Sequence, residues 1–526
     1  MLINTTILTI ILIFVGAYYL FLFIIALHTR DVEQNNLEDF FYFLIIPARN
    51  EEKVIIKTVE NCLNMDYENY RVIVVDDNSS DLTPVIVNRI EKVNSKVILL
   101  NNLPENSHKG KGSVLNFAFS QIKNSIERKF VAPFNLDDDF LDRFDKDHII
   151  IGVFDADARP SPNMLKEISI IFSNLDVDAV QTAVRISNRD NSMLSKMQDI
   201  EFLGFSRIIQ KARSNFGSVG LGGNGQFTKF SSLERLGKNP WGSTLTEDFE
   251  LGLRLISKGM KLYFTDKAIV EQEGVISFYA LFRQRTRWLQ GHFSNWKYIP
   301  SVIKSSSPLI TKIDTLIYIV FVSVVFLVGL SLALTIASIL KIISIKNSML
   351  EPFFSMNFIL GIAAILVYSF AFIPMFVYSI FEFYSEDNFL NRLSYVFLFA
   401  LYTYIWLPAG IAGLFRIISG QNGWVKTPRV SVYEMQLNSL LLEDLPPNVI
   451  ERRRFPRFVF HVIDPNYPYF LDNISKGGAK IVLPRNFNLN DELLELKIPI
   501  YGEKKGRIVW KNLHKNKLEV GLEFIE

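Results

Sequence analysis

A single cysteine, Cys62, stands in 526 residues. An internal disulfide framework and a cysteine zinc site are both excluded, and the soluble parts suit a reducing cytosol. A surplus of either charge is also missing, since 56 Lys and Arg face 54 Asp and Glu for a formal net charge of +2. That balance argues neither for nor against nucleic acid, and no nucleic-acid partner is expected. Before Arg30 there is no Lys or Arg. The apolar run Thr5 to Leu27 therefore lacks a secretory n-region, and no small-residue cleavage site follows it. Apolar residues are what the chain has in excess: 49% hydrophobic, 44 Phe and a mean hydropathy of +0.19. They are gathered in blocks, as in membrane proteins, and the length predicts about three units.

Thr5 to Leu27 is long enough to span a bilayer, and Arg30 after it places the next domain in the cytosol by the positive-inside rule. Three further blocks, near Ile313 to Ile343, Phe358 to Phe381 and Leu393 to Ile417, can each span. In the third, Pro408, Gly410 and Gly413 predict a kink or helix packing contacts. Phe278 to Ile299 mixes aromatic and aliphatic residues with Arg283, Arg285, Arg287 and Lys297, the pattern of an amphipathic stretch lying on the membrane face.

From Phe40 to about Pro300 strands and helices alternate, which predicts an α/β domain with a largely parallel sheet. Phe41 to Ile46 reads as a strand ending in Pro47-Ala48-Arg49-Asn50-Glu51-Glu52, with a helix from about Val54. Val72 to Val75 ends in Asp76-Asp77-Asn78-Ser79-Ser80-Asp81. Lys109-Gly110-Lys111-Gly112 precedes a helix over Ser113 to Phe119, where a lysine suits a phosphate contact. Ile149 to Pro160, IIIGVFDADARP, is a buried-type strand that delivers Asp155 and Asp157 ahead of a turn begun by Pro160. Carboxylates at strand ends lie where open α/β sheets bind ligands, and hard oxygens of this kind hold Mg²⁺ or Mn²⁺ against phosphates. Asp137-Asp138-Asp139 has the same spacing but no apolar strand before it, and reads as a solvated insertion.

IIPARNEE, VVDDNSSD, GKGSVLN, VFDADA, LTEDFELGLRL and QRTRW occur in the order found in processive family 2 glycosyltransferases, which the stretch Phe40 to Trp288 resembles. These membrane enzymes include synthases of cellulose, hyaluronan and poly-N-acetylglucosamine. The resemblance implies a GT-A-type α/β domain between transmembrane helices and donor contacts at Ala48, Glu51, Asp77, Lys111 and Asp155. It implies a metal on Asp155 and Asp157. Inverting transfer needs a base for the acceptor hydroxyl and charge neutralisation on the departing diphosphate. Asp248, with Glu247 beside it, takes the base role by resemblance, although helix capping also suits Thr246-Glu247-Asp248. Gln284, Arg287 and Trp288 would line the acceptor and pyrophosphate site. Gln181 to Arg185 stands where cellulose synthases carry a Gln-Thr-Pro segment near the sugar, without the proline. Gly222 to Gln226 departs from their Phe-Phe-Cys-Gly-Ser segment, which faces the acceptor; an ordinary tight turn accounts for the glycines equally well. Gly423 to Arg429 resembles the loop that covers the active site in these enzymes, with Thr427 on the diphosphate and Trp424 closing the site; a basic juxtamembrane anchor is the other reading.

Beyond a linker with Pro446 and Pro447, alternating strands at Phe458 to Val462, Ala479 to Leu483, Leu493 to Ile498, Arg507 to Trp510 and Leu518 to Phe524 predict a small all-β barrel. Arg452 to Arg457 and Asp472 to Gly478 together resemble the PilZ domain, a cyclic di-GMP receptor. The implied ligand contacts are Arg453, Arg454, Arg457, Asn473, Ser475 and Gly478. The expected plan is then a membrane helix over 1–30, a transferase over 31–300, a membrane channel region over 301–420, a gating loop and linker over 421–447, and PilZ over 448–526. The expected activity is elongation of a linear β-glucan, cellulose or a mixed β-1,3/β-1,4 polymer, from UDP-glucose at the cell membrane, with export and activation by cyclic di-GMP; poly-N-acetylglucosamine, or another β-polysaccharide made from another UDP-sugar, is the nearest alternative. A lipid bilayer, the growing polysaccharide and accessory export subunits are the expected partners. A nucleotide-binding receptor or transporter is the reading outside enzymes. Three later crossings conflict with two cytosolic domains, so one block is expected to be re-entrant or another crossing hidden.

Overall fold

The computed structural model describes residues 2–102, 107, 109–127, 134, 136, 139–320, 373–421, 458–463, 470–475, 478–484, 493–498, 502–513 and 517–525. Outside these lie Asp137, Asp138, the Gly423–Arg429 loop with Trp424 and Thr427, Arg453, Arg454 and Arg457, and most of the first two later apolar blocks. The chain divides into two units, one of Met1–Leu37, Glu167–Gln226 and Thr244–Val430, the other of Glu38–Lys166, Phe227–Ser243 and Ser431–Glu526.

In the second unit β1 (Phe41–Ala48), β2 (Tyr70–Asp76), β3 (Val97–Asn101) and β4 (Ile149–Val153) pair in parallel in the order β3-β2-β1-β4. Their near-continuous apolar runs are buried, as strands covered on both faces must be. β1 runs two residues further than its apolar run, because Pro47 and Ala48 still pair with Val75 and Asp76. Pairing with β4 stops at Ile45, so the missing N–H of Pro47 interrupts no ladder on that side. Helix Ile55–Leu63 buries Ile55, Thr58, Val59 and Cys62, one face at helical spacing. Burial pushes the Cys62 thiol up to about 12, which leaves it inert. Chain order reverses between β1 and β4, making a switch point at their carboxyl ends.

The same unit carries six antiparallel strands in the order Leu493–Ile498, Gly502–Leu513, Lys517–Ile525, Gly478–Pro484, Phe470–Ser475 and Phe458–Ile463. Ala479, Ile481 and Leu483 are buried on alternate positions, as a one-sided core requires. Phe470–Ser475 was not among the expected strands. A register shift between Leu471 and Asn473 breaks its alternation, and Ser475 pairs with Gly478.

The first unit opens with helix Leu2–His28. It pairs Ala179–Ile186 in parallel with Leu262–Gln272, and it carries helices Met193–Gly204, Glu247–Ser257 and Phe278–Ser294. Among the described residues one stretch, Phe389–Ile418, is long and apolar enough to cross a membrane. It is two helices, Phe389–Thr403 and Trp406–Ile418. The break lies at 404–405, one turn before the expected Pro408, because proline cannot donate to the carbonyl four residues back. The bonds left there are Leu407 N to Tyr404 O at 3.2 Å and Ala409 N to Ile405 O at 3.3 Å. Gly413 lets this helix meet helix Phe278–Ser294 backbone to backbone; a Cβ there would lie 3.1 Å from Gln290 N and Thr286 O.

Three carboxylates, Asp199 and Asp314 buried and Glu201 half-buried, bind the helices of this unit together. Asp199 takes a two-pronged contact from Arg185 (2.9 and 2.8 Å) and the Tyr384 hydroxyl at 2.6 Å. Asp314 takes Arg213 at 2.8 Å, Ser218 at 2.5 Å and Tyr18 of the N-terminal helix at 2.7 Å. Glu201 takes Arg285, the Tyr402 hydroxyl at 2.7 Å and the Trp406 indole N–H at 2.9 Å. Arg285 is 0% exposed, so it does not belong to the polar face of an interfacial helix as expected.

Candidate active site

The residues expected to hold the donor lie at the switch point of the second unit. Asp155 follows β4, and the turn sits at 156–157, closed by Ala158 N to Asp155 O at 3.0 Å. Pro160 does not begin that turn; with Arg159 it forms a two-residue strand. Thr58 fixes the segment by donating to Ala156 O at 2.6 Å. Asp157 is buried and Asp155 is partly open. Lys111 Nζ lies 2.6 Å from Asp155 Oδ1. Lys111 is the first residue of helix Lys111–Glu127 and not part of the preceding loop. Gly110, at φ +100°, makes the bend that sets it there. The site therefore brings an ammonium and two carboxylates together at one strand end. Hard oxygens of this type suit Mg²⁺ or Mn²⁺. Among the described residues no group of three or more His, Cys, Asp or Glu is gathered for a metal ion, so the rest of a shell would come from phosphate and water.

Asp76 and Asp77 end β2 and are both buried. Burial raises the Asp76 pKa, and Asp76 holds Ser79 N at 3.0 Å. Asp77 N donates to Ala48 O at 2.8 Å, and Asn102 Nδ2 donates to Asp77 Oδ1 at 2.8 Å. Glu51, also buried, donates its N–H to Thr83 Oγ1 at 2.8 Å. Asn50 and Asn78 adopt left-handed φ of 54° and 58°, which asparagine tolerates best among residues with a side chain. Asn50 N donates to Ser79 Oγ at 2.9 Å, and Asn50 Oδ1 accepts from Ser80 N at 2.8 Å, so the loops after β1 and β2 are stitched together.

The first unit holds the other expected residues. Glu247 and Asp248 are the first two residues of helix Glu247–Ser257. Thr246 occupies the cap position without a side-chain cap; its hydroxyl accepts from Asn295 Nδ2 at 3.1 Å instead. Glu250 anchors the approach, accepting from Tyr298 at 2.6 Å, Thr244 N at 3.0 Å and Lys297 at 3.0 Å. Burial works to raise its pKa, but these bonds outweigh that and hold it below the ordinary carboxylate value.

His292 stacks its ring 4.4 Å from Phe249, directly after Asp248. Burial pushes its pKa down to about 4. The folded imidazole is therefore neutral where the unfolded one, at about 6.5, takes a proton. The unfolded state binds more protons in that window, so stability falls as pH drops from about 6.5 to about 4. His292→Phe is expected to flatten this part of the acid slope, measured by calorimetric melting at pH 7 and pH 5.

Gln284 and Trp288 are half-buried on helix Phe278–Ser294 and both meet Arg285. Its Nη1 donates to Gln284 Oε1 at 2.9 Å, and its guanidinium lies 4.0 Å over the Trp288 ring. Arg287 is also half-buried on this helix. Gln181 is buried, with its amide committed to backbone: Oε1 accepts from Gly222 N and Nε2 donates to Asn224 O, both at 2.8 Å. It is a clamp on a tight turn, with Gly223 and Gly225 at φ +75° and +69°. Asn473 and Ser475 lie in strand Phe470–Ser475, the latter at its end, and Gly478 begins the strand that pairs with it. Asn102, Glu201, Tyr402 and Trp406 were not anticipated. They are single polar atoms inside apolar patterns, and periodicity carries no signal for them.

A lysine with paired carboxylates at a parallel-sheet switch point marks the ligand-binding edge of an α/β domain. Residues 41–291 match the family "Glycosyltransferase like family 2", and residues 451–526 match the PilZ domain. The chain thus carries a family 2 glycosyltransferase domain and a C-terminal PilZ domain. It is 31% identical over 260 residues to beta-monoglucosyldiacylglycerol synthase of Trichormus variabilis, covering 49% of this chain and 50% of that protein. It is 26% identical over 262 residues to poly-beta-1,6-N-acetyl-D-glucosamine synthase of Staphylococcus aureus, covering 50% and 56%. The matches thus span about half the length of these relatives. A solved mannosyltransferase of Pyrobaculum calidifontis, in complex with GDP-Man and Mn²⁺, superposes with a TM-score of 0.48 at 16% identity, covering 80% of this chain and 99% of that one.

Proposed function

We propose that the protein is a processive, inverting membrane glycosyltransferase that elongates a linear β-glucan from UDP-glucose, exports it, and is activated by cyclic di-GMP. The observation that carries this is the joining, in one chain, of a family 2 transferase domain and a PilZ domain. Asp248 takes the proton of the acceptor hydroxyl as that oxygen attacks the anomeric carbon. The carbon–oxygen bond to the diphosphate breaks, and UDP leaves with the electron pair. Lys111 and Arg287 offset the charge on the leaving group. Asp155 and Asp157 would hold a divalent cation, which when bound supplies further charge neutralisation at the diphosphate. Asp77 contacts the nucleoside, with Ala48 and Glu51 alongside. Gln284, Trp288 and Thr427 meet sugar or phosphate. The transferase and PilZ domains are cytosolic, and the helices before and after the transferase hold it at the membrane.

A second reading follows from the relative named beta-monoglucosyldiacylglycerol synthase: one glucosyl transfer to a lipid acceptor. The relative named poly-beta-1,6-N-acetyl-D-glucosamine synthase favours N-acetylglucosamine as the other donor. Membranes containing the protein, given labelled UDP-glucose or UDP-N-acetylglucosamine with cyclic di-GMP, distinguish them. Ethanol-insoluble label with β-glucosyl linkages is expected. Label confined to a chloroform–methanol extract would overturn the polymer reading.

For the control site, Arg457→Ala is expected to weaken cyclic di-GMP binding about ten-fold or more, because an arginine–phosphate contact is among the stronger hydrogen bonds. Calorimetric titration measures this. Unchanged binding removes Arg457 from the site. If one of Arg453 and Arg454 restrains the enzyme, its alanine variant raises synthesis without the nucleotide.

A further inference from the structure

We infer that Glu201 and Arg285 form a positioning pair that sets Gln284 and Trp288 for the acceptor; this rests on the transferase reading above. Arg285 is enclosed within the first unit, and its charge is met by Glu201. The same guanidinium covers one face of Trp288 and donates to the Gln284 carbonyl oxygen. Two consequences follow. One face of the indole is taken, so a sugar ring can stack only on the other. The Gln284 carbonyl already accepts one bond, which fixes the amide and aims its Nε2 donor at a sugar or phosphate oxygen.

Glu201 is itself held by Tyr402 and Trp406, one on each side of the helix break at 404–405. Trp406 also reaches Trp288, with ring centroids 6.2 Å apart, and Phe202 meets Trp288 edge-on at 6.2 Å. The pair therefore links the motif helix to the helix pair Phe389–Thr403 and Trp406–Ile418. Asp199, two residues earlier on the same helix, makes the same kind of contact with Arg185 and Tyr384 and, among the described residues, does not bond to the motif. It is a built-in control for plain structural loss.

The test uses the full-length protein in lipid nanodiscs with labelled UDP-glucose and, separately, labelled UDP-N-acetylglucosamine. UDP released, sugar incorporated and the Kd for UDP are measured together. With the acceptor misplaced, water takes the glycosyl group in its stead, so Glu201→Gln and Arg285→Lys are expected to lower sugar incorporated per UDP released by about 10- to 100-fold, the free sugar accounting for the remaining UDP. UDP affinity stays within about two-fold. Asp199→Asn keeps the wild-type ratio even where it lowers melting temperature. If Glu201→Gln fails to bind UDP, Tyr402→Phe decides, since it deletes one hydroxyl and leaves the ion pair; a ratio lowered about three-fold is expected. Wild-type ratios in Glu201→Gln and Arg285→Lys, an unchanged ratio in a decisive Tyr402→Phe, or an equal loss in Asp199→Asn overturn the inference. A wild type that transfers neither sugar overturns the transferase reading and this inference with it.

Discussion

Asp248→Asn is expected to abolish sugar transfer while UDP still binds. The substitution keeps shape and the local bond from Phe249 N to Asp248 Oδ1 at 2.7 Å, so helix Glu247–Ser257 retains its start. What it removes is a base for the acceptor proton, worth on the order of 10²–10⁴-fold. Glu250, not Asp248, anchors the approach to the helix, and folding should not depend on the substituted carboxylate. Initial rates with UDP-glucose, alongside UDP titration, separate the two effects. Near wild-type elongation would return Asp248 to the capping role.

The second large effect is expected at the donor side. Asp157→Ala should weaken UDP binding, and synthesis should fall to background in EDTA and return with Mg²⁺ or Mn²⁺. Two carboxylates one residue apart supply too few oxygens to satisfy such an ion alone, so binding of nucleotide and metal should be mutually dependent. Lys111→Met should weaken UDP binding as well, but without changing the metal requirement. Asp139, which is exposed, should tolerate alanine. Full synthesis after chelation would exclude the metal role for Asp155 and Asp157.

The donor half was legible because its chemistry sits at strand ends. Buried strands announce themselves as apolar runs, and the carboxylate that follows must then lie at the sheet's carboxyl edge. Lys111 was legible for the same reason, although its place in the helix was not, since an exposed first turn carries no periodicity. Arg285 was misread because its neighbours Arg283 and Arg287 made it look like one more charge on a wet face. Its burial depends on Glu201, 84 residues earlier, and Tyr402, 117 residues later, and no local pattern encodes such a partnership. The strand Phe470–Ser475 was hidden by its bulge, which shifts the alternation that would have revealed it. The helix break before Pro408 was displaced by one turn because the lost bond belongs to the carbonyl upstream.

Tyr18 and Asp314 are 296 positions apart. At a synthesis rate of about 5–20 residues per second, the N-terminal helix is made roughly 15–60 s before its carboxylate partner exists. Arg213, which is 1% exposed in the finished protein, is made 101 residues ahead of Asp314 and for roughly 5–20 s has no counter-charge. Burying it then would cost several kcal/mol, so this part of the chain is held open until residue 314 has emerged. Biogenesis thus runs against the order of synthesis, with the first helix among the last to settle. A fragment cut at residue 300 would retain Arg213 without Asp314, and would be retained by chaperones or degraded instead of accumulating as a soluble transferase.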